Sequence, residues 1–235
     1  SVHVVEHRLA FGVFTGEIYM KIKAVLYDMD GTLLDTEKLH KRAWTVTAAK
    51  RGVTMGPEFY QGAMGRNLTR VFALIEELYP NIGDIRSLYE EKEALCRKWM
   101  EEGGVPVLPG VYHTLGLLKA LGVKQCVCTS TSRDSAEKTL TSAGILPKLD
   151  ALMCGDDLEK SKPDPQIFLR GAQKLNTPIE ECAVVEDAPA GVEAGLRSGA
   201  RVFIVPGMLE MPQEFEARCT RINSLWELPT RLEEA

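Results

Sequence analysis

The stretch VLYDMDGTLLDTE, residues 25–37, follows a short apolar run with Asp28, Asp30 and Asp35, and sets Gly31 and Thr32 among them. Carboxylates this close repel one another and resist burial, so a strand end that collects them needs a cation, a proton or solvent. Ile22 to Tyr27 is rich in strand formers and predicts a buried parallel strand, with the acidic cluster at its carboxyl end. From Thr36 to about Gly103 the pattern changes: EKLHKRAWTVTAAKRG, NLTRVFALIEELY and IRSLYEEKEALCRKWMEEGG have helical spacing. That segment reads as a helical insertion.

Beyond the turn-prone VPVLPG, strands and helices alternate. VYHTLGLLKALG, RDSAEKTLTSAG, PDPQIFLRGAQKLN and AGVEAGLRSG are helical, and KQCVCT, ALMCG, CAVVE and RVFIV are strands. Such alternation predicts an α/β fold, a Rossmann-like parallel sheet covered by helices on both faces, with ligands outside the carboxyl ends of the strands. The expected organisation is an N-terminal extension at 1–19, an α/β core from 20–35 and 104–235, and an inserted α-helical cap at 36–103. The extension precedes Met20, which looks like a natural start, although alternation in VHVVEH and FGVFTG also suits an edge hairpin.

With 45% hydrophobic and 26% charged residues the composition is that of a soluble globular protein, and a net charge of -5 gives no electrostatic reason to expect nucleic acid. The cysteines at 96, 126, 128, 154, 182 and 219 lack the CxxC pairs or Cys/His spacing of a zinc site and read as reduced core thiols. No apolar stretch is long enough to span a bilayer, and the N-terminus lacks the features of a secretion signal. The expectation is a cytoplasmic enzyme or binding protein acting on a small phosphorylated metabolite, without membrane or nucleic-acid partners, and a monomer is compatible with it.

Three more polar segments fall at strand ends: TSTSR at 129–133, DDLEKSKPDP at 156–165 and EDAPAG at 186–191. An aspartate at a strand end can attack a phosphoryl group if a divalent cation offsets the repulsion between the two anions. Asp28 is the candidate nucleophile. Asp30 falls on the same side of an extended strand and could protonate the leaving oxygen, then activate water. Glu186 and Asp187 supply hard oxygen ligands suited to magnesium. Lys162 could balance charge on nucleophile and phosphate. The Ser130 hydroxyl, with backbone N–H groups where the next helix begins, could grip phosphate oxygens.

These motifs, DMDGTLLDTE, VCTSTSR, SKPDPQIF and VVEDAPAG, occur in the order found in the haloacid dehalogenase superfamily, and the chain from about 22 to 206 resembles its phosphatase and phosphosugar mutase branch with a helical cap. The resemblance implies Asp28 as nucleophile, Asp30 as general acid/base, Ser130 as phosphate-binding hydroxyl and Lys162 as the charge-stabilising lysine. It also implies Mg2+ on Asp28, the backbone carbonyl of Asp30, and Asp187, with Glu186 helping directly or through water. Among the consecutive hydroxyls Ser130 is chosen because it lies three residues before Arg133, with Thr131 beside it as a further substrate contact. Asp30 argues against a dehalogenase, since the family's dehalogenases lack this partner.

Two substrate-side residues lie in the insertion. His40, one helical turn before Trp44, faces either the substrate or the surface, while Trp44 either joins it or packs in the cap core. Arg66, in the loop 65–67, either binds a second group of the substrate or is solvated. Glu90, Glu91, Lys92 and Glu93 read as the exposed face of a helix.

The expected activity is a magnesium-dependent phosphatase of sugar or polyol phosphates. A hexose phosphate mutase resembling beta-phosphoglucomutase is the alternative. Against it stand DGT where those mutases commonly have DGV, and a segment after Gly65 that departs from their Gly-Val-Ser-Arg pattern. A non-catalytic phosphate-binding protein is a third possibility, which loss of Asp30 or Lys162 would have favoured; both are present.

Overall fold

The computed structural model describes residues 21–234; the extension at 1–19 and its hairpin alternative lie outside them. Six parallel strands, β1 (Ala24–Tyr27), β2 (Lys124–Cys128), β3 (Ala151–Met153), β4 (Cys182–Glu186), β5 (Arg201–Ile204) and β6 (Thr220–Arg221), form one sheet in the order β3-β2-β1-β4-β5-β6. Period-two alternation explains why AVLY makes the central strand. Val25 and Tyr27 enter the apolar layer on one face, and Ala24 and Leu26 enter the layer on the other.

Helices α5 (Val111–Ala120), α6 (Arg133–Ser142) and α10 (Leu228–Glu233) cover the first face; α7 (Gln166–Lys174) and α8 (Pro189–Ser198) cover the second. Tyr27 pairs with Val127 on β2 and with Val185 on β4, so these three strands end at one level. In this strand order the crossover direction reverses at β1, where a crevice opens beyond the strand ends. The segment after β5 adds a short helix α9 (Gln213–Glu216) before β6.

Between β1 and β2 lie α1 (Glu37–Ala49), α2 (Pro57–Ala63), α3 (Leu68–Leu78) and α4 (Ile85–Gly103), which bury an apolar cluster of their own. Trp44 of α1 meets Phe59 of α2 edge to face, with ring centroids 5.4 Å apart. Asp84 accepts hydrogen bonds from the N–H groups of Arg86 and Ser87, and Asn67 accepts one from Arg70, so α4 and α3 each start on a side-chain cap. The two segments that join these helices to the sheet run side by side. Leu34 pairs antiparallel with Val107, the Asp35 N–H donates to Pro106 O at 2.9 Å, and the Leu108 N–H donates to Leu33 O at 2.9 Å. Among the described residues no helix is long and apolar enough to cross a membrane.

Candidate active site

Asp28 continues β1 by one ladder hydrogen bond, donating its N–H to Val185 O at 3.0 Å, and the residue is 7% exposed. Lys162, on the loop before α7, extends its fully buried side chain between two strand ends. Its ammonium pairs with Asp28 Oδ1, donates to Glu186 Oε1 at 2.7 Å and to Cys128 O at 3.2 Å, so its three donors are all used. Glu186 is equally committed: Oε2 accepts from the N–H groups of Asp187 at 3.0 Å and Ala188 at 3.1 Å. The Glu186 side chain therefore fixes the lysine and the turn into α8.

Asp187 is 2% exposed and differs from its neighbour. Its Oδ1 accepts from Thr32 Oγ1 at 3.1 Å, whereas Oδ2 has no hydrogen-bond partner among the described residues. Gly31, at φ +86°, and Gly207 approach that oxygen so closely that a Cβ at either position would collide with it. Asp28, Glu186 and Asp187 each present an oxygen, all within 4.8 Å of one another. Three carboxylates against one ammonium leave two negative charges without compensation. Burial accordingly drives the carboxyls of Asp28 and Asp187 well above the usual range, with Lys162 opposing the shift at Asp28. Burial disfavours the Lys162 ammonium, but Asp28 and Glu186 outweigh it and raise its pKa. An orphaned hard oxygen beside excess buried negative charge fits a divalent cation.

Asp30 does not continue the strand. The chain turns back on itself, with Leu33 and Leu34 both donating their N–H to Met29 O at 3.0 Å, and the Asp30 carboxylate faces α1. Oδ1 accepts from Thr36 and lies 3.6 Å from His40 Nε2, while Oδ2 accepts from Thr131 Oγ1 at 3.1 Å. Burial alone would raise this carboxyl, but the bonds from His40, Thr36 and Thr131 hold it below the usual range. The Thr131 hydroxyl thus orients Asp30. The N–H of Thr131 donates to Thr129 Oγ1, and that of Arg133, which opens α6, donates to Asp156. Ser130 Oγ donates to Gly65 O at 3.0 Å, and Arg66 Nη1 donates to Lys162 O at 2.8 Å, so the loop 65–67 lies against both strand-end motifs.

One expectation is overturned on α4. Lys92 is not on an exposed face: it is 5% exposed, lies 2.5 Å from His40 Nδ1 and 2.7 Å from Glu93 Oε1, and passes over the rings of Trp44 and Tyr89. Glu93 is half-buried with it, and its carboxyl is held down by Lys92 and His40 against the upward effect of burial. Leu88, Lys92 and Cys96 are the buried residues of α4, at i, i+4 and i+8. That stripe was the available signal, because it places Lys92 in line with two apolar side chains. Glu37 and Thr36 were also overlooked, though both are buried beside the acidic cluster.

His40 is half-buried and lines the cavity, while Trp44 serves both the apolar cluster of the helical segment and the cavity. Burial and the charge of Lys92 oppose an imidazolium at His40, yet Asp30 and Cys96 carry its pKa up to about 9. The 2.5 Å contact between Lys92 Nζ and His40 Nδ1 joins α4 to α1 at the edge of the cavity. Between the helices and the strand ends lies a cavity of about 470 Å³, reaching from Asp28 and Ser130 to Tyr60, Arg66 and Lys92.

Residues 22–199 match the profile of the haloacid dehalogenase-like hydrolases, and the chain belongs to that family, in its phosphatase and beta-phosphoglucomutase-like branch. It is 32% identical over 198 residues to hexitol phosphatase A of Escherichia coli strain K12, covering 83% of this chain and 88% of that one. It is 28% identical over 218 residues to protein CbbY of Rhodobacter capsulatus, covering 88% and 95%. In three dimensions it is similar to beta-phosphoglucomutase from Clostridium difficile, with a TM-score of 0.77, 24% identity, and coverage of 91% and 97%, a likeness of fold. The protein is an enzyme of this family.

Proposed function

We propose that the protein is a magnesium-dependent phosphatase of small sugar or polyol phosphates, working through a phospho-aspartyl intermediate. The observation that carries this reading is the separation of two carboxylates into two environments. Asp28 sits on the charge-balancing Lys162, while Asp30 is held apart by Thr36, Thr131 and His40. Nucleophile and proton carrier need different surroundings, and these two aspartates have them.

Asp28 attacks phosphorus, the Asp28 O–P bond forms, and the bond from phosphorus to the leaving oxygen breaks. Asp30, having first received a proton, passes it to that oxygen. His40, 3.6 Å away, is a source for the proton. In the second half Asp30 takes a proton from water, the water oxygen attacks phosphorus, and Asp28 is released with inorganic phosphate. Lys162 offsets the charge on Asp28 throughout. Asp28, the Asp30 backbone carbonyl and Asp187 would hold a magnesium ion, with Glu186 at one remove. The ion would relieve repulsion between the Asp28 carboxylate and the phosphate.

Ser130 grips a phosphate oxygen once the phosphate displaces Gly65 O from its hydroxyl, and the loop 65–67 must shift to allow this. Arg66 from the loop 65–67, and His40 and Lys92 from α1 and α4, face the rest of the substrate. The cavity lies within the size range that encloses small metabolites, and the likeness to a hexitol phosphatase supports a sugar or polyol phosphate.

The test is inorganic phosphate release over a panel of sugar, polyol and nucleotide monophosphates, with and without Mg2+, using Asp28→Asn as control. Metal-dependent release from a few sugar or polyol phosphates is expected. No release from any member, but interconversion of hexose phosphates when a sugar bisphosphate is added, would replace the phosphatase with a mutase.

A further inference from the structure

Glu37 has a place that the reaction above leaves unused. It stands in the first turn of α1, immediately after the paired linkers, and is 8% exposed. Its carboxylate lies against that of Asp187 and shares the acidic cluster with Asp30 and Glu186, with the basic His40 beside it. A carboxylate pressed into a buried acidic cluster is costly unless something between the groups is positive or donates hydrogen bonds. Asp187 also holds an oxygen, Oδ2, that finds no hydrogen-bond partner among the described residues.

Two arrangements satisfy this geometry. In one, Glu37 and Asp187 share a proton. In the other, the hydration shell of a cation supplies the missing donors. Glu37 is not among the carboxylates whose oxygens lie within 4.8 Å of one another, so direct ligation alongside Asp28 and Asp187 is the poorer fit. Magnesium keeps several of its waters, and carboxylates beyond the direct ligands orient them.

We infer that Glu37 is the cap's contribution to the cation site, accepting hydrogen bonds from water carried by the ion that Asp28 and Asp187 hold. The ion thereby ties α1 to the sheet, and metal occupancy and the position of the helical insertion become one equilibrium. This rests on the metal-dependent reading above. Since Glu37 adjoins the linkers, a small rotation of α1 carries its carboxylate away from Asp187, so release of the ion loosens the helix and displacement of the helix weakens the ion.

The experiment is calorimetric titration of Mg2+ into the wild type, Glu37→Gln and, as a control on an exposed carboxylate of α4, Glu90→Gln, with the melting temperature of each metal-free protein recorded. Glutamine mimics a protonated Glu37, so a shared proton predicts unchanged or tighter magnesium binding in Glu37→Gln. The cation arrangement predicts a dissociation constant raised roughly 10-fold or more, with Glu90→Gln unchanged. Equal affinity in wild type and Glu37→Gln overturns the inference. A wild type that binds no magnesium overturns the metal reading beneath it instead.

Should Glu37→Gln not fold, hydrogen exchange on the wild type decides. Magnesium should slow exchange in residues 37–49 as well as near Asp28 and Asp187, and slowing confined to the strand ends overturns the inference.

Discussion

The two walls of the cavity hold charge in different ways. On the sheet side, Lys162, reaching in from the loop before α7, has every donor engaged, and both oxygens of Glu186, at the end of the strand paired to β1, accept hydrogen bonds. On the helical side, Lys92 bridges His40 and Glu93 along a polar seam between α1 and α4, backed by the aromatic cluster of Trp44 and Phe59. The sheet side is built to hold one geometry, whereas the helical side has an apolar core of its own and meets the strand ends through the loop 65–67. The proposed reaction assigns chemistry to the first and substrate admission to the second.

The sharpest way to break this comparison is at Asp28. Asp28→Asn keeps the shape and removes the proposed nucleophile, so turnover should fall by roughly 10⁴-fold or more, as on loss of other covalent nucleophiles. A folded variant with near-normal turnover would sink the assignment. Asp30→Asn should cost about 10²–10⁴-fold, the range of a lost proton carrier, with the larger loss on poor leaving groups. An equal loss for aryl and alkyl phosphates would leave Asp30 without its proton role.

On the helical side, Phe59→Ala should destabilise by about 3–5 kcal/mol, read as an early urea transition in residues 37–103 with the sheet transition little changed. A single unshifted transition would mean that the helices have no separate core to lose. Lys92→Met keeps the stem over Trp44 and Tyr89 and removes the charge, so KM should rise about tenfold, a figure set by one charged hydrogen bond, with kcat changed less. A kcat loss as large as that of Asp30→Asn would move Lys92 into the reacting machinery.

The smallest effect is a pH dependence at His40. Its folded pKa, up to about 9, lies above the ordinary 6.5, so its contribution to stability is fully present below about 6.5 and disappears as pH rises through 9. The wild type should therefore lose stability between pH 7 and 10 relative to His40→Asn. Parallel melting curves for the two proteins across that range would remove the His40–Asp30 contact from the account.

Much of this was legible because short parallel strands announce themselves as apolar runs, and each polar segment after such a run lands at the same edge of the sheet. Asp28, Lys162, Glu186 and Asp187, separated by as many as 159 positions in the chain, could be grouped on that ground alone. The helix α2 carried too little periodicity over PEFYQGA to stand out, and α9 and β6, at four and two residues, have none to show.

Lys92 and Glu93 were misjudged for a different reason. A helix that faces a polar cleft shows the same amphipathic pattern as one that faces water, and only the alignment of Lys92 with Leu88 and Cys96 separates the cases. Asp30 was expected on a continuing strand, but Gly31 at φ +86° belongs to a turn that swings its neighbour towards α1.

The antiparallel pairing of Leu34 with Val107 also bears on how such a protein could be assembled or dismantled. Partners across an antiparallel ladder lie about 5 Å apart at Cα, so the 37–103 segment leaves and returns through nearly a single point. A tight turn of a few residues could bridge that point. The sheet with its flanking helices could then be made as a shortened chain, and another insert of any length could be spliced in without altering the strand register on either side.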